Sequence, residues 1–323
     1  MRIGIVGCGK MGRRRAEAAR GHDIIVVTDT DGGRATELAV EFGASTVNDW
    51  RAVVDARIDA VFVATSHDVL APVALAAVEA GKHVFIEKPG ARSTAELAPV
   101  AAAAKAKQRI VKVGYDHRFH PAFVEARRLV DADTIGPLLY VRGRYGHGGR
   151  RGYESEWRLD PQRSGGGELI DQGSHLIDLA RWFLGDLEVP FAALPTYVWK
   201  APVEDNCFLV LRSASGQIAW LHASWNQWKN MFSFEIVGAG GTIIVDGAGG
   251  SYGTGSLTLH RRAAESGPPT TTAQEFPTAA EAWQREFAEF EAAIRENREP
   301  MGGLTDALAT LTVIERAYGR ARS

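Results

Sequence analysis

Short runs of apolar, often β-branched residues alternate with longer stretches of helical spacing through the first third of the chain. The runs cover residues 3–6, 24–28, 60–65, 83–86 and 110–113. Between them, residues 11–20, 33–42, 70–80 and 94–106 repeat apolar positions at the interval of an amphipathic helix. Short apolar strands joined by helices of about 10–15 residues read as βαβ units. They predict a parallel sheet covered on both faces, because strands without a polar side have nothing to offer water. Gly21, Gly43 and Gly81 fall just past helical stretches, where a left-handed terminus favours glycine.

The rhythm changes after Pro121. A helix over 122–130 leads through Ile135-Gly136-Pro137 into a strand over 138–145, a loop rich in glycine and arginine, and a helix over 168–183. Residues 189–260 read mostly as strands joined by turns such as Ala214-Ser215-Gly216 and Ala239-Gly240-Gly241. Consecutive strands without intervening helices imply an antiparallel sheet. Residues 266–272 read as a surface connector, and helices over 280–297 and 304–318 close the chain. The boundary is expected near 115–121. It gives a first domain of 1–118 and a second of 119–323, with helix 304–318 a candidate to return to the first.

At 323 residues the chain suits two ordinary cores. A net charge of −2 supplies no bulk attraction to nucleic acid or to a membrane surface, and neither is expected as a partner. No apolar run reaches the roughly 20 residues that span a bilayer, and the apolar strand at residue 3 leaves no room for a signal peptide. The two cysteines, Cys8 and Cys207, build neither a disulfide framework nor a thiolate zinc site, so a reducing cytoplasm is expected.

Gly7-Cys8-Gly9-Lys10-Met11-Gly12 is a G-x-G-x-x-G turn between the first strand and the first helix. Gly7 allows the tight turn, Gly9 lets backbone amides approach a pyrophosphate, and Gly12 permits close helix–strand packing. The helix N-terminus offers free N–H groups to the anion. Asp29 ends the second strand 22 residues after Gly7, where its carboxylate suits the ribose hydroxyls of NAD and repels the 2′-phosphate of NADP. Arg34 and the run Arg13-Arg14-Arg15 are the candidates for offsetting that repulsion, which keeps NADP open. Exposed helix faces are the plainer expectation for these arginines.

Asp59-Ala60-Val61-Phe62-Val63-Ala64-Thr65, followed by Ala80-Gly81-Lys82-His83-Val84-Phe85-Ile86-Glu87-Lys88-Pro89, resembles the Gfo/Idh/MocA oxidoreductases. Ser164-Gly165-Gly166-Gly167-Glu168-Leu169-Ile170-Asp171-Gln172-Gly173-Ser174-His175-Leu176-Ile177-Asp178 is similar to that family's second signature. The resemblance implies an α/β Rossmann domain followed by an α+β domain with a large open, mostly antiparallel sheet. It also implies that the exposed sheet face makes oligomer contacts, so a dimer or tetramer is expected. The chain departs from the family at Ser66-His67 and Leu70, after Ala64-Thr65. It departs again at Asp116-His117 before Arg118-Phe119, where many members have Asn before the Arg-Phe pair. Thr65, Ser66, His67, Glu87 and Lys88 join Gly7, Gly9, Lys10, Met11, Gly12 and Asp29 as the expected cofactor contacts.

Lys88 follows the fourth strand at its carboxyl end, where open α/β sheets bind ligands. A lysine beside a carbinol oxygen stabilises developing alkoxide charge, and Glu87 is placed to pair with the ammonium. Asp171 and His175 stand four residues apart on a helix, a spacing that puts both on one face. His175 suits proton transfer near neutral pH, with Asp171 orienting it; Asp178, one turn on, reads as structural. No third donor with clear spacing joins that pair, so no metal is expected.

From 142 to 163, six arginines face three acids. Tyr145, His147, Tyr153 and Trp157 are interleaved. With His117, Arg118 and Arg158 they are the candidate substrate contacts. Aromatic faces with arginine forks suit an anionic sugar such as a nucleotide sugar, and an oligomer-contact loop fits equally. The leading reading is an NAD(P)-dependent oxidoreductase acting on a secondary alcohol or ketone of a sugar, cyclitol or nucleotide sugar. An NAD-dependent glycosidase and a non-catalytic NAD-binding regulator are the alternatives.

Overall fold

The structure is a computed structural model and describes residues 1–248, 252–263, 266–277 and 280–322. Residues 249–251, within the stretch expected to be strands and turns, lie outside the described residues. The chain begins β1 (Arg2–Val6), α1 (Lys10–Ala18), β2 (Asp23–Thr28), α2 (Gly32–Phe42), β3 (Ser45–Thr46), α3 (Trp50–Asp55), β4 (Ala60–Val63), α4 (His67–Glu79), β5 (His83–Ile86), α5 (Thr94–Lys107) and β6 (Val111–Val113). A 3-10 turn at Asp116–Phe119 opens into α6 (Pro121–Asp131), β7 (Leu138–Gly146) and the short α7 (Pro161–Ser164). A π-helical turn at Leu169–Gly173 runs directly into α8 (Ser174–Leu184). Then come β8 (Leu187–Ala193), β9 (Asn206–Ser213), β10 (Ile218–Ser224), β11 (Met231–Gly238), β12 (Gly241–Asp246), β13 (Gly255–Arg261), β14 (Thr270–Phe276), α9 (Ala280–Glu296) and α10 (Leu304–Ala321).

Two compact units emerge, and the first comprises residues 1–115 and 283–308. Its sheet has the order β3-β2-β1-β4-β5-β6, and each pairing is parallel. All four residues of β4 are buried, as a strand covered on both faces requires. The strand order reverses between β1 and β4, which opens a crevice at their carboxyl ends. Phe287, Phe290 and Ala293 of α9 join Ile3, Ile5, Phe62 and Phe85 in this unit's core. Phe62 meets Phe85, Phe287 and Phe290 edge-on, with ring centroids 5.5, 6.0 and 6.2 Å apart. A cut at residue 118 with everything beyond it in one domain therefore does not describe the chain. The apolar stripe of α9 covers the Rossmann sheet, and only the start of α10 belongs with it.

The second unit comprises residues 116–282 and 309–323. Its sheet runs β14-β13-β12-β11-β7-β10-β9-β8. Neighbours are antiparallel, except that β10 lies parallel to β7 from Ile218↔Tyr140 to Ser224↔Gly146. Along β7, Val141, Gly143 and Tyr145 are buried while Arg142 and Arg144 are exposed, the alternation of a sheet covered on one face. Residues 270–276, partly inside the expected connector, form an edge strand paired with β13. That strand is almost wholly exposed, so no alternation announces it. Among the described residues no helix is long and apolar enough to cross a membrane.

Candidate active site

The turn after β1 is built on three glycines with different tasks. Gly7 takes φ +96°, and a Cβ there would lie 2.3 Å from the carbonyl oxygen of Ala64. A Cβ on Gly12 would lie 1.9 Å from the carbonyl oxygen of Gly7, so glycine alone allows the helix this close to the strand. A Cβ on Gly9 would meet nothing within 4 Å. Gly9 is also the N-cap of α1 and supplies no capping side chain. The helix's positive end thus meets open space, the arrangement a pyrophosphate requires.

Exposed Lys10 and half-buried Met11 continue that turn. Asp29 accepts the Cys8 amide at 2.6 Å on one oxygen and the Asp31 amide at 2.8 Å on the other, which fixes the carboxylate beside the glycines. Burial, reinforced by Asp29, pushes the Cys8 thiol up to about 12. Thr65, Ser66 and His67 follow β4 on the other side of the crevice. Ser66 is the N-cap of α4, its hydroxyl donating to Asp68 at 2.6 Å, and His67 is buried in the first turn. These residues fit a nicotinamide dinucleotide.

Lys88 lies half-buried just past β5, joined to Pro89 by a cis peptide bond. Glu87, expected beside its ammonium, accepts Arg15 Nε at 2.6 Å. Arg15 also donates to Glu286 at 2.5 Å, and Lys112 Nζ donates to the other oxygen of Glu286 at 2.8 Å. The guanidinium carbon of Arg15 stands 4.2 Å from the Phe85 ring centre and 4.6 Å from that of Trp283. The exposed position expected for this arginine is therefore corrected. Arg15 shares the buried face of α1 with Gly12 and Ala16, and two carboxylates and two aromatic faces satisfy its charge there.

In the second unit, Asp171 sits in the π-helical turn and His175 in the first turn of α8. Their four-residue spacing thus crosses a change of helix type rather than one α-helical face. Asp171 accepts Arg158 Nε at 3.1 Å. His175 Nδ1 lies 3.9 Å from Asp116 Oδ1, and that oxygen is 3.2 Å from His117 Nδ1. The two imidazole centroids are 4.2 Å apart. Tyr145 meets both rings edge-on at 5.3 and 6.0 Å, and Tyr252 lies 5.0 Å from Tyr145. Gln172 Nε2 donates to the Tyr252 hydroxyl at 3.2 Å. Burial holds Tyr145 well above the usual phenol range and pushes Tyr252 up to about 12, so both stay neutral. His120, just beyond, is pushed down to about 4 by burial and by repulsion from His117.

The structure therefore places Asp116 at the centre of the polar cluster, where sequence spacing pointed to Asp171. Asp116, His117 and His175 keep their donor atoms within 4.8 Å of one another, a set without Asp171 that spacing along α8 does not reveal. The available signal was Asp116-His117 standing where the family pattern has Asn. Arg118, expected to face substrate, forks onto Asp178 at 2.8 and 2.7 Å in a buried pair.

The arginine-rich loop divides. Tyr153 is buried with Leu159, Val203 and Trp225 in a small core. His147 Nδ1 accepts the Gly149 amide at 2.9 Å, and burial lowers its pKa. Arg158 bonds Glu156 at 3.2 Å as well as Asp171, and its guanidinium lies 4.7 Å from the Trp157 ring centre. Arg142 pairs with Glu235, and Arg150 with Glu156.

Residues 1–115 match the model described as "Oxidoreductase family, NAD-binding Rossmann fold", and residues 123–244 match "GFO/IDH/MocA C-terminal domain". The chain belongs to the GFO/IDH/MocA oxidoreductase family. Levoglucosan dehydrogenase of Pseudarthrobacter phenanthrenivorans is 28% identical over 284 residues, 76% of this chain and 73% of its own. Inositol 2-dehydrogenase 1 of Saccharopolyspora erythraea is 31% identical over 255 residues, 75% of this chain and 73% of its own. A levoglucosan dehydrogenase in complex with NADH shares the fold at a TM-score of 0.91, covering 100% of this chain and 97% of that one at 24% identity. As a GFO/IDH/MocA member the chain is an NAD(P)-dependent oxidoreductase, and the glycine turn after β1 lies in its NAD-binding domain.

Proposed function

We propose that the enzyme interconverts a secondary alcohol and the corresponding ketone on a sugar, cyclitol or nucleotide sugar, with NAD as the preferred nicotinamide. The observation that carries this reading is the buried, polar surrounding of His175, an imidazole set among a carboxylate, a second imidazole and a phenol. Relatives named for levoglucosan and inositol support a polyol substrate. A nicotinamide dinucleotide held by its pyrophosphate at the glycine turn would supply the hydride acceptor or donor. His175 takes the hydroxyl proton in oxidation and returns it in reduction. Lys88 stabilises the negative charge that gathers on the substrate oxygen. Asp171, held by Arg158, lends negative charge near His175, and Tyr145, His147 and Trp157 are the sugar contacts. The Asp29 carboxylate, fixed by two amides, favours a free ribose hydroxyl over a 2′-phosphate.

The test is a screen of sugars, cyclitols and nucleotide sugars with NAD and with NADP, following the absorbance of the reduced nicotinamide. Net turnover of a polyol with NAD supports the proposal. Reaction only with non-carbohydrate alcohols, or a firm preference for NADP, overturns it.

We further propose a homo-oligomer, a dimer or tetramer, formed through the open face of the second unit's sheet. Tyr140 and Trp220 are exposed there on neighbouring strands, and an apolar patch of this kind is a common contact surface. Sedimentation as a monomer at micromolar concentration overturns that part.

A further inference from the structure

His175 opens α8, yet the carboxylate facing its Nδ1 comes from the 3-10 turn at 116–119, nearly sixty residues earlier. Asp116 Oδ1 stands 3.2 Å from His117 Nδ1 and 3.9 Å from His175 Nδ1, within ion-pair reach of both rings. The Asp171 carboxylate pairs with the Arg158 guanidinium at 3.1 Å. We infer that Asp116 is the positioning residue for His175: its carboxylate holds the imidazole's orientation and stabilises the imidazolium that forms when the substrate hydroxyl is deprotonated. The inference rests on the proton-transfer role proposed above for His175.

The chemistry follows from what surrounds the ring. Among the described residues, His175 is met by Asp116 and His117 from the 3-10 turn and by Tyr145 from β7 with Tyr252 behind it, while Asp171, four residues earlier in the chain, pairs with Arg158. His120 lies beyond His117 and is neutral near pH 7. Both tyrosines are neutral as well, and Asp116 is a carboxylate within ion-pair reach of a newly formed imidazolium. A proton taken from the substrate oxygen makes positive charge on His175, and an anion at this distance favours that charged form. In the reducing direction the same proton returns to the substrate oxygen, and the imidazole is again neutral. The ring centroid of His117 lies 4.2 Å from that of His175, and its Nδ1 contacts the same carboxylate oxygen at 3.2 Å.

The experiment compares wild type with Asp116→Asn, Asp116→Glu and Asp171→Asn. The titration of His175 is followed by NMR of the ring in the full chain, alongside pH profiles of kcat and kcat/KM on an accepted substrate. Removing the Asp116 charge should lower the His175 midpoint by about 1–2 units, the usual effect of an opposite charge at this range. The acid limb of the oxidation profile should move down with it. Turnover should fall by roughly tenfold or more as the base weakens, with KM for NAD unchanged. Asp116→Glu should recover part of both effects, and Asp171→Asn should move the midpoint less.

An unmoved midpoint and limb in Asp116→Asn overturn the inference. So does activity that disappears on chelation and returns with zinc, which would make the three donors a metal site. His175→Ala, run in parallel, separates the two claims. If it keeps wild-type turnover, the proton-transfer reading fails. If it is inactive while Asp116→Asn behaves as wild type, only the positioning role fails.

Discussion

Glu286 is fully buried and holds two cations, Arg15 at 2.5 Å and Lys112 at 2.8 Å, while Glu87 takes the remaining side of Arg15. Two cations and two carboxylates balance in the dry interface between α9 and the Rossmann sheet. Glu286→Gln keeps the shape and removes one negative charge, leaving a net positive charge in the core. Breaking a buried ion pair at one partner costs about 3–5 kcal/mol, because the other charge stays desolvated without its counter-ion. For a protein of this size that is a fall in Tm of roughly 6–20 °C, at about 2–4 °C per kcal/mol. Lys112 keeps carbonyl contacts with Val113 and with Gly302, the latter at 3.4 Å, so the lower half of the range is expected. The assay is thermal and urea unfolding of Glu286→Gln, Lys112→Met and the double variant. The double variant restores charge balance and should recover more than half of the single loss, a coupling that contact pairs show in such cycles. A Glu286→Gln variant within about 1 kcal/mol of wild type, or a double variant with simply additive losses, refutes the reasoning.

Two further outcomes follow from the same structure. Gly9→Val should leave the fold within about 0.5 kcal/mol of wild type, as expected for a change that touches no packed feature, because its Cβ meets nothing and its φ of −69° suits any residue. It should nevertheless weaken NAD by at least about tenfold, a loss of about 1.4 kcal/mol; calorimetric titration showing unchanged affinity contradicts the pyrophosphate site. His120 is held neutral in the fold, down to about 4 from the ordinary 6.5. Its contribution is therefore complete above pH 6.5 and is lost as pH falls from 6.5 toward 4, where the unfolded chain takes up the proton first. The loss should reach roughly 3 kcal/mol. His120→Asn keeps a cap for the Ala122 amide and should flatten the decline measured by urea unfolding. Equal slopes for the two proteins contradict it.

The Rossmann half was legible because its strands and helices carry their own periodicities and its glycines answer to local sterics. Gly7 and Gly12 are needed where a Cβ would strike backbone, and a motif of fixed spacing records that need. What the sequence hid depends on contacts far apart along the chain. Arg15 meets Glu286 across 271 residues, and nothing near Arg15 distinguishes it from Arg13 and Arg14. β14 pairs along an exposed edge, so its side chains follow no alternation. At the candidate site, the Asp171–His175 spacing assumes an uninterrupted α-helix, and the π-helical turn at Leu169–Gly173 breaks that assumption. Asp116 reaches His175 from another element, so no spacing reveals it. Its identity as a carboxylate in an Asn position was the available clue.

The central claim is that His175 performs proton transfer in a polyol oxidoreductase. The most direct measurement is turnover of an accepted substrate by wild type and His175→Ala under saturating NAD, across pH 6–9, with NAD affinity measured on both proteins. A loss of ~10²–10⁴-fold in turnover with unchanged NAD affinity is the predicted result. Near-wild-type turnover in His175→Ala across that range contradicts the account.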